Sequence, residues 1–166
     1  MRSVCLVLAL SSPLAVAAQT VAPPDFSSLT STHKKRIQYV EYAAEHQIVP
    51  AGKQTVLELR FHVVDGFHIN SHSPKSDLQI PTRIVLKPAP GVTLGKATYP
   101  AGTPFSFSFA PQDKLDVYQG QFLVDLPVTA TAGSHELNAE LRYQACDRAA
   151  CYPPMTLPVG IVFTAK

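Results

Sequence analysis

Tryptophan is missing from this chain altogether, and cysteine occurs three times in 166 residues. The first absence removes the buried tryptophan that antibody-type domains pack against their inter-sheet disulfide. The second leaves no room for a dense disulfide scaffold. Charge is sparse as well: 14 Lys and Arg stand against 12 Asp and Glu, and neither sign clusters beyond His33-Lys34-Lys35-Arg36. Nucleic acid is therefore not an expected partner, because it needs an extended basic face. The short basic tetrad reads as a solvated linker end. Past the N-terminus no segment approaches the roughly 20 apolar residues that a membrane helix requires, so a membrane-spanning role is not expected. No Gly-x-Ser-x-Gly elbow and no suggestive pair of carboxylates occurs, which argues against hydrolytic chemistry.

What is present begins with a leader. Residues 1–18 carry Arg2, an apolar stretch from Val4 to Leu10, a Ser-Ser-Pro break and the small-residue run Ala15-Val16-Ala17-Ala18. This pattern predicts a secretory signal peptide, and with it removal of Cys5 and an oxidising, periplasmic destination. Residues 19–35, rich in Ala, Pro, Ser and Thr, read as a flexible linker. A single domain is expected over 36–166, a length suited to one apolar core.

Within that stretch the period is two. From Gln54 to Val64, Leu57, Leu59, Phe61 and Val63 alternate with Glu58, Arg60 and His62, the mark of a half-buried strand. Further strands are expected at Thr82–Lys87, Val92–Thr98, Phe105–Phe109, Gln121–Thr129, Glu136–Cys146 and Met155–Thr164, and Ile37–Ala44 suits either a helical face, through Ile37, Val40, Glu41 and Ala44, or a strand, which its Tyr and Val content favours. Fifteen prolines and eight glycines punctuate the chain, and no amphipathic helix emerges after Ala44. The fold class this implies is all-β, an immunoglobulin-like antiparallel β-sandwich.

The two remaining cysteines stand in Tyr143-Gln144-Ala145-Cys146-Asp147-Arg148-Ala149-Ala150-Cys151-Tyr152-Pro153-Pro154. If strands flank the four intervening residues, Cys146 and Cys151 face each other and can bond. Two readings stay open. A structural staple is one, although a ring of six residues gives only about 2 kcal/mol in the chain-entropy model. The other is a reversible pair that exchanges with an incoming thiolate, which needs one accessible sulfur. Arg148 favours a thiolate and Asp147 opposes it. Pro153-Pro154 remove two backbone donors and place the next strand start at a sheet edge.

These residues resemble the N-terminal periplasmic domain of the thiol:disulfide interchange protein DsbD, the DsbD alpha-domain family. Tyr143-Gln144-Ala145-Cys146 and Cys151-Tyr152-Pro153-Pro154 are similar to its active-site hairpin. Gly66-Phe67-His68-Ile69-Asn70 resembles a Gly-aromatic-His-Ile-Asn segment, and Ile80-Pro81-Thr82 and Val117-Tyr118 fall at corresponding places. The resemblance runs from about Arg36 to the end. It implies a cofactor-free protein-disulfide reductase relay in which Cys151 forms the mixed disulfide and Cys146 resolves it, with Tyr143, Tyr152, Pro153 and His68 in support. It also implies a cap over the disulfide, for which Phe109 is the candidate, although the family's acidic-aromatic cap has no clear match and the cysteine loop is one residue shorter than in the best-known members. The family protein continues into a membrane domain and a thioredoxin-like domain, whereas this sequence ends at Lys166. A separate membrane thiol reductase is therefore the expected electron donor, and periplasmic thioredoxin-fold or other disulfide proteins are the expected acceptors.

Two other functions compete. A non-catalytic interaction module with a structural disulfide would bind a partner by strand addition. Copper handling would use Cys146, Cys151 and Met155 with His62, His68 and His72, but these histidines lack a zinc-type spacing and no metal is expected.

Overall fold

The computed structural model describes residues 37–166, and the expected signal peptide and linker lie outside the described residues. Numbered in chain order, twelve strands run β1 (Val40–Ala43), β2 (Gln47–Val49), β3 (Thr55–Val63), β4 (His68–Asn70), β5 (Arg83–Leu86), β6 (Val92–Leu94), β7 (Thr103–Phe107), β8 (Ala110–Tyr118), β9 (Gln121–Ala130), β10 (Gly133–Tyr143), β11 (Ala145–Cys146) and β12 (Met155–Ala165). They form three four-stranded sheets, ordered β1-β3-β9-β6, β2-β12-β10-β5 and β11-β4-β8-β7. Among the described residues there is no helix.

Alternation builds the first two sheets. Leu57, Leu59 and Phe61 of β3 and Val124, Leu126 and Val128 of β9 are buried; so are Leu137 and Leu141 of β10 and Val159, Ile161 and Phe163 of β12. All belong to one apolar cluster, the inner faces of the two sheets closing on each other. Full burial of each such side chain stabilises by roughly 1.5–3 kcal/mol. The result is an immunoglobulin-like β-sandwich, as the alternation and turn spacing predict.

Four expectations are corrected in detail. The pairing is not wholly antiparallel, because β2 runs parallel to β12 through Phe163↔Gln47 and Ala165↔Val49. The run expected as one strand from Glu136 to Cys146 breaks at Gln144: β10 stays in the second sheet, while β11 passes to the third and pairs with β4. The strand at Val92–Thr98 shortens to β6, with Thr98 making an isolated bridge to Asp125. The Phe105–Phe109 segment shifts to β7, which leaves Phe109 in the turn before β8. Strands β2, β4 and β8 have no counterpart in the sequence reading. All three residues of β4 are buried, so no alternation marks it, and the first half of β8 is exposed on both faces.

Candidate functional site: the sulfur pair at the sheet crossing

Cys146 and Cys151 are joined by a disulfide with Cα atoms 3.9 Å apart, closer than the separation expected for opposed strands. The cysteines are indeed opposed, as an isolated bridge, but a tight loop and not a regular ladder joins them. Asp147 builds that loop. Its N–H donates to the Ala150 carbonyl at 2.9 Å, and its Oδ1 accepts from the N–H groups of Ala149 and Ala150 at 2.7 and 2.8 Å. Asp at the head of a four-residue loop, its carboxylate accepting from the amides that follow, is the sequence signal for this turn.

The two sulfurs sit in different surroundings. Cys146 is fully buried in β11, at one side of the third sheet, whereas Cys151 is exposed just after the loop. Register places Cys146 directly opposite His68 of β4.

The motifs singled out in the sequence converge here through hydrogen bonds. Asn70 Nδ2 donates to the Ile80 carbonyl at 3.1 Å and to Gln144 Oε1 at 3.2 Å. Gln144 Nε2 in turn donates to the Tyr152 carbonyl at 3.1 Å, and the Tyr152 N–H reaches the Ala145 carbonyl at 2.8 Å. Thr82 Oγ1 donates to the Asn70 carbonyl, and β4 pairs with β8 through Ile69↔Tyr118 and Asn70↔Val117. Gly66, at φ +86°, makes the turn from β3 into β4 with a Phe67 N–H to Val64 carbonyl bond of 3.1 Å, a backbone angle that suits glycine.

Tyr152 joins the loop to the sandwich. Its hydroxyl donates to Asp147 Oδ2 at 2.7 Å, and its ring stacks on Tyr39 with centroids 5.0 Å apart; Phe67 lies 4.5 Å from Tyr39. Tyr39 is a contributor that the sequence reading gave no role, and Phe67 entered it only as the aromatic of the Gly66–Asn70 motif. Three donors hold Asp147 ionised, chiefly the Tyr152 hydroxyl, and set its pKa at about 2; the same bond raises the pKa of Tyr152. Buried Tyr143 ends β10, accepting from the Tyr39 N–H at 3.3 Å and donating to Gln38 Oε1 at 2.9 Å. Pro153 and Pro154 are exposed and precede β12. That strand is an inner one, but β2 covers only its far end, so the stretch next to the prolines is paired on one side, by β10.

Phe109 is 67% exposed and stacks on Phe107 at 4.9 Å. The half-buried pair Phe105 and Phe107 faces inward instead, their rings 4.0 and 5.9 Å from that of His68. With Ser106, Ser108 and Arg148 they line a cleft of about 220 Å³ beside the cysteine loop. A larger hollow of about 430 Å³, lined by Arg60, Tyr118, Gln119, Gln121 and Phe122 among others, has no sulfur in its walls. His72 is engaged elsewhere, stacked on Tyr99 at 3.8 Å and bonded to the Thr82 carbonyl. Among the described residues no three His, Cys, Asp or Glu side chains converge as metal ligands would.

Comparison with known proteins agrees with the motifs. The chain is 26% identical over 120 residues to the thiol:disulfide interchange protein DsbD of Haemophilus ducreyi, an alignment covering 72% of this chain and 18% of that protein. The chain thus spans about a fifth of the length of that curated relative. Among solved structures, the N-terminal periplasmic domain of ScsB from Proteus mirabilis aligns with a TM-score of 0.51 at 10% identity, covering 74% of this chain and 44% of that one, a likeness of fold. The reduced DsbD N-terminal domain of Neisseria meningitidis aligns at 0.43 and 21% identity, over 66% of this chain and 81% of that one. The model of the family described as "Thiol:disulfide interchange protein DsbD, N-terminal" matches residues 34–161, most of the chain, and the protein belongs to that family.

Proposed function

We propose that this chain is a thiol–disulfide exchange module that passes reducing equivalents through Cys146 and Cys151 to exported disulfide proteins. The observation that carries the proposal is the unequal exposure of the two cysteines. Exchange requires a thiolate to approach one sulfur along the S–S axis while the other leaves. Cys151 is open to that approach and Cys146 is closed to it, so the mixed disulfide forms at Cys151.

The steps balance without a cofactor. In the reduced domain the Cys151 thiolate attacks a substrate disulfide, forming a bond to one substrate sulfur and expelling the other as a thiolate. Cys146 then attacks Cys151 Sγ, the intermolecular bond breaks, and the second substrate sulfur leaves. Two electrons have moved to the substrate, and the Cys146–Cys151 bond has re-formed. A separate membrane thiol reductase re-reduces the pair by the reverse route, and thioredoxin-fold or other disulfide proteins are the acceptors. Residues 1–18 direct export to the periplasm, and the folded unit begins near Arg36.

A Cys146→Ala variant mixed with an oxidised thioredoxin-fold protein tests the assignment. It should accumulate a covalent adduct that dithiothreitol dissolves, while Cys151→Ala should form none. A disulfide that stays intact in the native domain at potentials well below about −300 mV marks a structural staple and defeats the reading.

A further inference from the structure

We propose that His68 is the proton acceptor for Cys146, the base that readies the buried thiol to resolve a mixed disulfide. The proposal rests on the exchange reading above and assigns the step that reading leaves without a group to carry its proton.

Three observations lead to it. His68 is the cross-strand partner of Cys146, and directly opposed residues of antiparallel strands project to the same face with Cβ atoms about 4.5–5.5 Å apart, within reach of one hydrogen bond between an imidazole and a thiol. The side chain is 2% exposed, with Phe105 and Phe107 packed against its ring. Its Nε2 is buried and has no hydrogen-bond partner among the described residues. An orphaned buried nitrogen costs about 1–3 kcal/mol, and such atoms call for a specific explanation. The redox state supplies one. A disulfide sulfur has no proton to donate, whereas the reduced Cys146 Sγ–H does, and its nearest cross-strand neighbour is the ring with the unused acceptor.

The step is then complete. Cys146 Sγ–H gives its proton to Nε2, and the thiolate attacks Cys151 Sγ. The bond from Cys151 to the substrate sulfur breaks, its electron pair leaves on that sulfur, and the imidazolium proton follows to it through the opened site. Burial disfavours the imidazolium and lowers the His68 pKa, while the Asp147 carboxylate opposes that effect. Asp147 stays ionised throughout because Tyr152 and two amides hold it so. The other charged groups on the elements packed about the ring are Arg148 on the cleft wall, Lys114 bonded to Ser106 Oγ at 3.1 Å, and Asp116 opposite Pro104. Phe105 and Phe107 bring none.

Ellman's reagent separates the two sulfurs in time. With the reduced domain, the first thionitrobenzoate released reports attack by Cys151, and the second reports Cys146 displacing the adduct. Stopped-flow rates from pH 5 to 9 should show the second release slowed about tenfold or more at pH 7 in His68→Gln and His68→Phe. The gap should narrow as pH rises and hydroxide takes over the removal of the proton. A loss of packing alone would not reshape the pH profile. Superimposable profiles for wild type and variants overturn the proposal. Should His68→Phe not fold, the imidazole titration of the wild-type domain followed by NMR decides: different midpoints in the oxidised and reduced states support the contact, and equal midpoints refute it. A wild-type domain that gives no first release defeats the exchange reading, and this one with it.

Discussion

Reducing the Cys146–Cys151 bond should cost the folded domain little, and the loop itself sets the amount. The bond closes a ring of six residues, five apart in sequence, for which the chain-entropy relation gives about 2 kcal/mol at 25 °C. That figure is a ceiling on the entropic gain, because other bonds already gather the ends of the ring: Asp147 N–H to the Ala150 carbonyl, two amides to Asp147 Oδ1, and Tyr152 N–H to the Ala145 carbonyl. None of these involves sulfur, and all should survive reduction. Urea unfolding of the oxidised domain and of the same domain under excess phosphine reductant measures the difference. The midpoint should fall while the slope, which follows the surface exposed on unfolding, stays constant.

The same quantity can be read a second way. Linkage requires that whatever the disulfide adds to folding, folding adds to the disulfide, and for a two-electron couple 30 mV corresponds to about 1.4 kcal/mol. A difference of about 2 kcal/mol therefore places the potential of the native pair about 40 mV below that of the unfolded chain. Agreement between the urea and redox values would support a bond that opens within an intact fold. A stability loss above about 4 kcal/mol, or a change in slope, would refute the reasoning and return the pair to a staple.

Asn70→Ala removes donors to the Ile80 carbonyl and Gln144 Oε1 at a buried position; it should destabilise by about 2–3 kcal/mol in urea, and a loss under about 0.5 kcal/mol would deny the network a structural role. Tyr152→Phe deletes the main cause of the low Asp147 pKa, so the carboxyl carbon observed by NMR should titrate well above about 2, and an unmoved midpoint would contradict the bond. Acid should weaken the fold in two windows, since His68 and Asp147 both have folded pKa values below their ordinary ones of 6.5 and 3.8. Each contribution is complete above the ordinary value and is lost as pH falls through the depressed one. Urea midpoints at pH 7.5 and 5.5 should differ in wild type and much less in His68→Gln. Leu141→Ala, in the core between the sheets, should cost about 2–5 kcal/mol without altering which cysteine alkylates first.

Legibility in the sequence followed burial. Strands with one wet and one dry face, such as β3 and β9, announce themselves by alternation, and the sandwich follows from their number and spacing. His68-Ile69-Asn70 is dry on both faces, and Pro111-Gln112-Asp113-Lys114 is wet on both; neither carries a period, so β4 and β8 stayed hidden, and with them the third sheet. The cysteine loop was legible as a hairpin and the flanking motifs as parts of one family. That Asn70 and Gln144 bond directly across 74 residues of chain was not, because side-chain partners at long range leave no local pattern. Phe105, Phe107 and Phe109 share a period of two on paper, but β7 ends at Phe107, so the turn takes Phe109 out of the alternation and leaves it 67% exposed.

The break at Gln144 explains why one sulfur is open and its partner shut. A strand continuing straight from β10 would carry Cys146 along the second sheet beside β12, and both cysteines would share the exposure of one hairpin tip. Crossing into the third sheet instead lays β11 against β4, which seals Cys146, while Cys151 remains outside on the return of the loop. Gln144 holds the crossing from both sides, through Asn70 of β4 and the carbonyl of Tyr152. Gln144→Ala should therefore act on selectivity before stability. In the reduced variant the alkylation rates of the two cysteines, resolved by peptide mass mapping, should converge as Cys146 gains access. Preserved preference for Cys151 would mean that the loop alone, and not the change of sheet, sets the asymmetry.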